Sequence, residues 1–361
     1  MRSPLGLPLG TLPAGKLAVV ALLLAVSIGS APAFAVTTLC VTNAVQLQKA
    51  LDDVSDGGIF AGTSATIRVV KGNYLTTALS NQAFHYSSTA NQAITIAGGY
   101  RGACPNPTSS RNPTLSVLDG NATTPVLEIH SAIGPVLVQF LTIQNGKTGG
   151  NPAGLSINSH VGDNSGALVE NNIIQDNISS GLHGGLFVAS GGTTTLLQVA
   201  NNLIVNNHAD NGYGGGAVVG NGGSMGLYGN TIYGNTTSTA GTVGGLSVSS
   251  TGTGSVINNI AWSNTGAGLN LATGSMSVSY NDIGTLTGVA PVFGTGNVSV
   301  APKFVSAGTG DFHLAQNSPL LALSPFPEGD YDLDGFELPA HGKVDVGAYE
   351  ETIFIDGLDG N

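Results

Sequence analysis

The phrase "VENNIIQDN", Val169 to Asn177, returns as "VANNLIVNN" at Val199, "LYGNTIYGN" at Leu227 and "VINNIAWSN" at Val256. Aligned on Asn172, Asn202, Asn230, Asn259 and Asn281, the echoes are separated by 30, 28, 29 and 22 residues. A period of this size marks a solenoid, in which one short unit stacks on the next. Leu141 in "VQFLTIQNG" carries the series one step towards the N-terminus. Each column keeps one chemical type. Three positions before the anchor stand Val138, Val169, Val199, Leu227, Val256 and Val278; two after it stand Ile143, Ile174, Ile204, Ile232, Ala261 and Ile283. Five after it come Gly146, Asn177, Asn207, Asn235 and Asn264, and a glycine column follows in "AGLSI", "GGLFV", "GGAVV", "GGLSV" and "AGLNL".

Units built of short apolar strands and Asn/Gly turns leave no room for a helix. Stacked strands lie about 4.8 Å apart, so equivalent residues sit above one another along an axis. The columns therefore predict an all-β, right-handed parallel β-helix: valine on valine and isoleucine on isoleucine inside, and ladders of asparagine amides at the turns. A β-sandwich, with turns every 8–12 residues, does not account for columns at this period. The exposed end of such a stack needs a cap. The spacing of "VTNAVQLQKALDDV", Val41 to Val54, predicts a short amphipathic helix in that role.

Composition narrows the partners. The chain has 54 glycines among 361 residues, and only 9% of residues are charged. Val, Ile and Leu recur too regularly for a disordered linker. At the N-terminus Arg2 and Lys16 precede the apolar stretch "LAVVALLLAVSI", Leu17 to Ile28, and then "APAFA". This is the pattern of a signal peptide over residues 1–35, cut after Ala35. Its removal takes the formal charge from −11 to −13, since the segment holds Arg2, Lys16 and no acidic residue. Few cations and an acidic balance argue against nucleic acid or an anionic membrane as partner. No other run is long and apolar enough to span a bilayer. In an exported chain Cys40 and Cys104, the only cysteines, are expected to form a disulfide that ties the mature N-terminus to "GGYRGACPNP".

Longer phrases carry a resemblance. "NAVQLQKAL…IRVVKGNY…ITIAGGYRGAC…LSVLDGN" resembles the opening of bacterial secreted right-handed β-helix proteins of the pectate-lyase-like superfamily. "VAPKFVSAGTGDFHLAQNSPLLAL" with "DYDLDGFELPAHGKVDVGAYE" resembles the choice-of-anchor Q domain. Ala301 and "ALSPFP" depart from that domain's usual residues, and the arginine common after "DxDG" is missing. The tail "IFIDGLDGN" resembles short sorting termini of some secreted gammaproteobacterial proteins. These readings divide the chain into a signal peptide (1–35), an N-terminal cap with the first coils (36–120), the β-helix repeats (121–290), a choice-of-anchor Q-like C-terminal β/loop extension (291–350) and a tail that is a candidate sorting signal (351–361). The resemblance implies a protein secreted from, or held on the outer surface of, a Gram-negative bacterium, in preference to a periplasmic one.

Catalytic signals are thin. Elimination chemistry on acidic polysaccharides needs a basic side chain, and across residues 130–300 the only Lys or Arg is Lys147, with Asp176 near its column one coil on. Hydrolysis needs paired carboxylates roughly 5–10 Å apart. Asp163, Glu170, Asp176, Asp210 and Asp282 occupy different columns, and His183 and His208 are out of register. Asp330, Asp332 and Asp334 have the D-x-D-x-D-G spacing of a Ca²⁺ loop, with His341 where an EF-hand would need glutamate. Against a metal stands an Asx-turn loop that holds its own backbone. No cofactor is required by anything else in the chain.

A binding signal comes from alternation. Residues one and three after the anchor should face outward, yet they include Ile173, Leu203 and Ile260, then Val205, Tyr233 and Trp262, the only tryptophan. Such a strip serves as a sugar-stacking platform or protein contact, unless a segment after Gly284 covers it. The expectation is a non-catalytic secreted or cell-surface β-helix in adhesion or contact with an extracellular polysaccharide or surface protein. The alternative is a polysaccharide lyase or glycoside hydrolase.

Overall fold

The computed structural model describes residues 36–150, 152–158, 165–192, 196–220, 222–326, 329–339 and 342–351. Residues 1–35, which the sequence pattern reads as a signal peptide, Asp163, His341 and nearly all of the tail lie outside the described residues.

The repeat folds as a parallel β-solenoid of about 7 turns with very little helix. One coil shows the plan: strands Leu155–Asn158 and Ala167–Glu170 on a long face, Ile173–Gln175 on a second face, and Ile178–Ser179 on a short third face. Successive coils add parallel strands to sheets of 16, 8 and 4 strands. The two stacks of the long face merge where strand Leu246–Ile257 runs through both without a break.

The columns stack in register. Val169 pairs with Val138 and Val199, then Leu227, Val256 and Val278 follow. Ile143, Ile174, Ile204, Ile232, Ala261 and Ile283 form the second stack. All are buried in one continuous core. Each large aliphatic side chain taken from water contributes about 1.5–3 kcal/mol.

The asparagine pairs divide their labour. The first residue of each pair takes the left-handed turn: Asn171 has φ 54°, Asn201 53° and Asn258 64°, with Gly229 at 58° in the coil that lacks asparagine there. The second builds the ladder. Asn172 donates to the Val138 carbonyl (2.9 Å) and to Asn202 Oδ1 (3.1 Å), and its backbone N–H donates to the same oxygen (2.9 Å). The pattern repeats through Asn230, Asn259, Asn281 and Asn297. Asn177, Asn207, Asn235 and Asn264 form a second ladder. The glycine column makes room for it: a Cβ on Gly185 would lie 2.9 Å from the Asn207 amide. Buried amides are tolerated here because both N–H groups and the oxygen are bonded.

The N-terminal cap is the helix Ala44–Val54. It starts three residues later than the spacing predicts, because Val41 ends a strand, Thr37–Val41, paired with Ala65–Val70. Asn43 caps the helix by accepting from Gln46 N–H at 3.0 Å. Leu47, Ala50, Leu51 and Val54 bury one face on the first coils. Cys40 and Cys104 are disulfide-bonded, as expected.

The C-terminal extension corrects the outward strip. Ile173, Leu203, Val205 and Ile260 do leave the coil interior, but their exposures are 8%, 3%, 2% and 1%. Phe312, Leu333 and Ala348 cover Ile173, Leu203 and Val205; Leu314, Leu320 and Val346 cover Ile260. Tyr233 meets the rings of Phe304 (5.5 Å) and Phe312 (5.3 Å) edge-on, and Trp262 packs against the Ile260 cluster. The strip is a docking seam for the chain's own residues, not a free platform. The turn asparagines hold the extension: Asn171 donates to the Asp332 carbonyl (2.8 Å), Asn201 to that of Tyr331 (3.1 Å) and Asn258 to that of Asp345 (2.9 Å).

Candidate functional site

Two of the three aspartates read above as a Ca²⁺ loop are engaged by the chain's own groups. Asp332 is buried, and its oxygens accept from the backbone N–H groups of Phe336 (2.8 Å) and Glu350 (3.2 Å). Asp334 accepts from His313 Nε2 at 2.9 Å, and His313 Nδ1 meets Asp311 at 2.7 Å. Those two carboxylates, Asp334 first, push His313 up to about 9. Asp330 lines a separate cleft. Among the described residues no three His, Cys, Asp or Glu side chains are placed to hold a metal ion. Asp332 satisfies backbone N–H groups and Asp334 a histidine.

Among the described residues two concave sites stand out. The first lies at the corner where the short face turns back to the long face. There His183, Tyr213, Val243 and Gly266 occupy equivalent positions in successive coils. The His183 and Tyr213 rings stack at 5.7 Å with 23° between their planes, and the Phe187 ring lies 4.7 Å from that of His183 at a tilt of 32°. Side-chain volume then falls from tyrosine to valine to glycine along the axis. The vacated space is a groove of about 610 Å³ beside Tyr213, with Asn211, Thr242, Asn270, Thr285 and Thr287 on its walls. Gly266 is required: its φ is +68°, and a Cβ would meet the Thr242 carbonyl at 2.4 Å. No carboxylate, ammonium or guanidinium lines the groove. Burial pushes His183 down to about 4, so the imidazole beneath Tyr213 is neutral at ordinary pH.

Near Asn211 runs a network that the column analysis missed. His208 Nδ1 meets Thr236 Oγ1 at 2.8 Å; its Nε2 meets Asp210 Oδ1 and Ser238 Oγ, each at 3.1 Å. His208 and Asp210 are out of register between coils but two residues apart within one, which is enough for contact. The carboxylate and the serine share one ring nitrogen, so this is not the relay of a serine hydrolase, which needs them on opposite nitrogens. The His208 hydrogen bond, then that of Ser238, holds Asp210 below its ordinary range.

The second site is a cleft of about 340 Å³ between the long face and the extension. Tyr100, Gln139, Glu170 and Arg111 line it from the coil side, Asp330 and Tyr331 from the extension. Gln198 donates to Glu170 at 3.1 Å. Burial, and then the charge of Asp330, raise Glu170 above the ordinary carboxyl range. The Arg111 guanidinium stacks on Tyr331 at 3.8 Å, and that of Arg68 lies over Tyr100 at 5.7 Å. Inter-coil columns could not find this carboxylate pair, because Asp330 arrives from outside the repeat.

The other sequence candidates are not assembled into a site. Lys147 is exposed and makes no ion pair among the described residues. Burial raises Asp176, and pushes Asp282 up to about 6, where Asp282 accepts from Val300 N–H. No protein-family model matches the chain, and no match is found among curated proteins or solved structures.

Proposed function

We propose that this protein is an exported β-helix, secreted or held on the outer surface of a Gram-negative cell, that contacts an extracellular glycan in the Tyr213 groove. The observation that carries this reading is the tapering aromatic column. A pyranose ring placed on Tyr213 continues the stack that Val243 and Gly266 leave open. Sugars offer one apolar face for stacking and a rim of hydroxyls. The amides of Asn211 and Asn270 and the hydroxyls of Thr242, Thr285 and Thr287 supply matching donors and acceptors. An uncharged lining selects neutral over anionic sugars, because an unpaired carboxylate would be desolvated without compensation. The disulfide-tied N-terminus, the signal-peptide pattern and the resemblance to pectate-lyase-like and choice-of-anchor Q proteins support export.

The test is binding of the purified protein to immobilised neutral and acidic polysaccharides. Tyr213→Ala is expected to weaken retention on a neutral glycan about tenfold or more, at an unchanged melting temperature, given that one stacking contact is worth roughly 1–2 kcal/mol. Retention only on acidic glycans, or indifference to Tyr213→Ala, would overturn the assignment.

A further inference from the structure

We propose that the cleft between the coil and the C-terminal extension is a glycoside-cleaving site, with Glu170 as proton donor and Asp330 as the base that activates water. It shares no lining residue with the Tyr213 groove. Three observations meet there. The cavity is open to solvent and walled by two tyrosine rings, each backed by a guanidinium that holds it in place. The amide of Gln139 lines it and matches a sugar hydroxyl. Glu170 from the coil and Asp330 from the extension both line this space, and neither is ion-paired among the described residues.

The environments of the two acids differ in the sense the chemistry needs. Glu170 sits in the wall of the coil, where burial and its neighbour's charge favour the protonated form. Asp330 sits on the extension loop with more water around it. A general acid must hold its proton at working pH, and a buried wall beside a second carboxylate is the surrounding that favours this. In the step proposed, Glu170 gives its proton to the glycosidic oxygen as the C1–O bond breaks. Asp330 takes a proton from a water molecule whose oxygen bonds to C1. The products are a sugar with a new C1–OH and the released alcohol. Solvent returns the proton from Asp330 to Glu170, and no cofactor is consumed.

The pair exists only because the extension docks. Asn171 and Asn201, which line the cleft, also donate to the Tyr331 carbonyl next to Asp330 (3.0 and 3.1 Å). The same turn amides that position the extension therefore position the base against the acid.

The experiment incubates the purified protein with cellohexaose, xylohexaose, mannohexaose and chitohexaose, and separates the products by chromatography. At least one hexaose is expected to be shortened. Glu170→Gln and Asp330→Asn should each lower that rate by about 10²–10⁴-fold, the usual weight of one acid or base. Glu170→Gln should also melt at or above the parent, since it removes a buried ionisable group; a merely structural glutamate would show the reverse. Asp330→Asn tests the pair from the other wall if the first variant misfolds. No shortening of any hexaose, or parental rates in either variant, overturns the proposal. Loss of hydrolysis with glycan retention intact separates this site from the groove.

Discussion

Replacing one ladder amide tests the stacking argument most directly. Asn202 is fully buried. It donates to the carbonyls of Val169 (2.8 Å) and Ala200 (2.9 Å) and to Asn230 Oδ1 (3.0 Å), while its own oxygen accepts from Asn172 N–H and Nδ2 (2.9 and 3.1 Å). In Asn202→Ala the buried Asn172 backbone N–H loses its acceptor, and the Asn230 oxygen and Val169 carbonyl each lose a donor. Each orphaned group costs about 1–3 kcal/mol. Relaxation and residual partners, such as the Asn230 oxygen's remaining bond from the Asn202 backbone N–H (3.0 Å), bring the expected loss to ~3–5 kcal/mol. The measurement is the chemical-denaturation midpoint followed by far-UV circular dichroism, with Asn211→Ala, an exposed amide, as the control within about 0.5 kcal/mol of the parent. Because Asn202 and Asn230 share a bond, the double Ala variant should lose ~1 kcal/mol less than the sum of the single losses. A loss below about 1 kcal/mol for Asn202→Ala would show that the ladder is a consequence of the stacked backbone and not a cause of it.

The extension should hold more firmly in mild acid than in base. Burial pushes Asp332 up to about 6 and Glu350 up to about 7. A carboxyl with a raised folded pKa keeps its proton longer in the native state, so stability falls as pH rises through these values. His313, raised to about 9, contributes stability that is complete below its unfolded pKa and is lost as pH rises through 9. Both effects have one sign. Limited proteolysis between pH 5.5 and 9.5 should release the extension only at the alkaline end, and Asp332→Asn should flatten the lower part of that dependence; a more protected extension at pH 9.5 would contradict it. For the N-terminal cap, the Cys40–Cys104 bond closes a separation of 64 residues, which by chain entropy is worth ~4 kcal/mol. Cys40→Ser with Cys104→Ser should lower the melting temperature and expose the helix Ala44–Val54 to protease first. An unchanged melting temperature would place the cap's stability in its apolar face alone.

The solenoid, its core and its ladders are legible from spacing alone, because every coil repeats the same short-range solution. Strands a fixed distance apart force like onto like, so Val169, Ile174, Asn172 and Asn177 could be assigned from spacing without coordinates. The sequence also marked Ile173, Leu203 and Trp262 as facing outward, which is correct as backbone geometry. What alternation cannot state is what lies on the other side of an outward residue. That was decided by the described residues within 304–349, whose contacts with the coils reach up to 161 positions along the chain and repeat nowhere. Their docking turned an apparent binding strip into a seam, spent Asp332 and Asp334 on backbone N–H groups and His313, and carried Asp330 to Glu170. The Tyr213 groove is intermediate: its column could be read from the chain, but the emptiness above the ring appears only when the coils are stacked. Periodic contacts are written locally because each unit meets its copy. Aperiodic ones are set by where a non-repeating segment comes to rest, and only the tertiary structure holds that information.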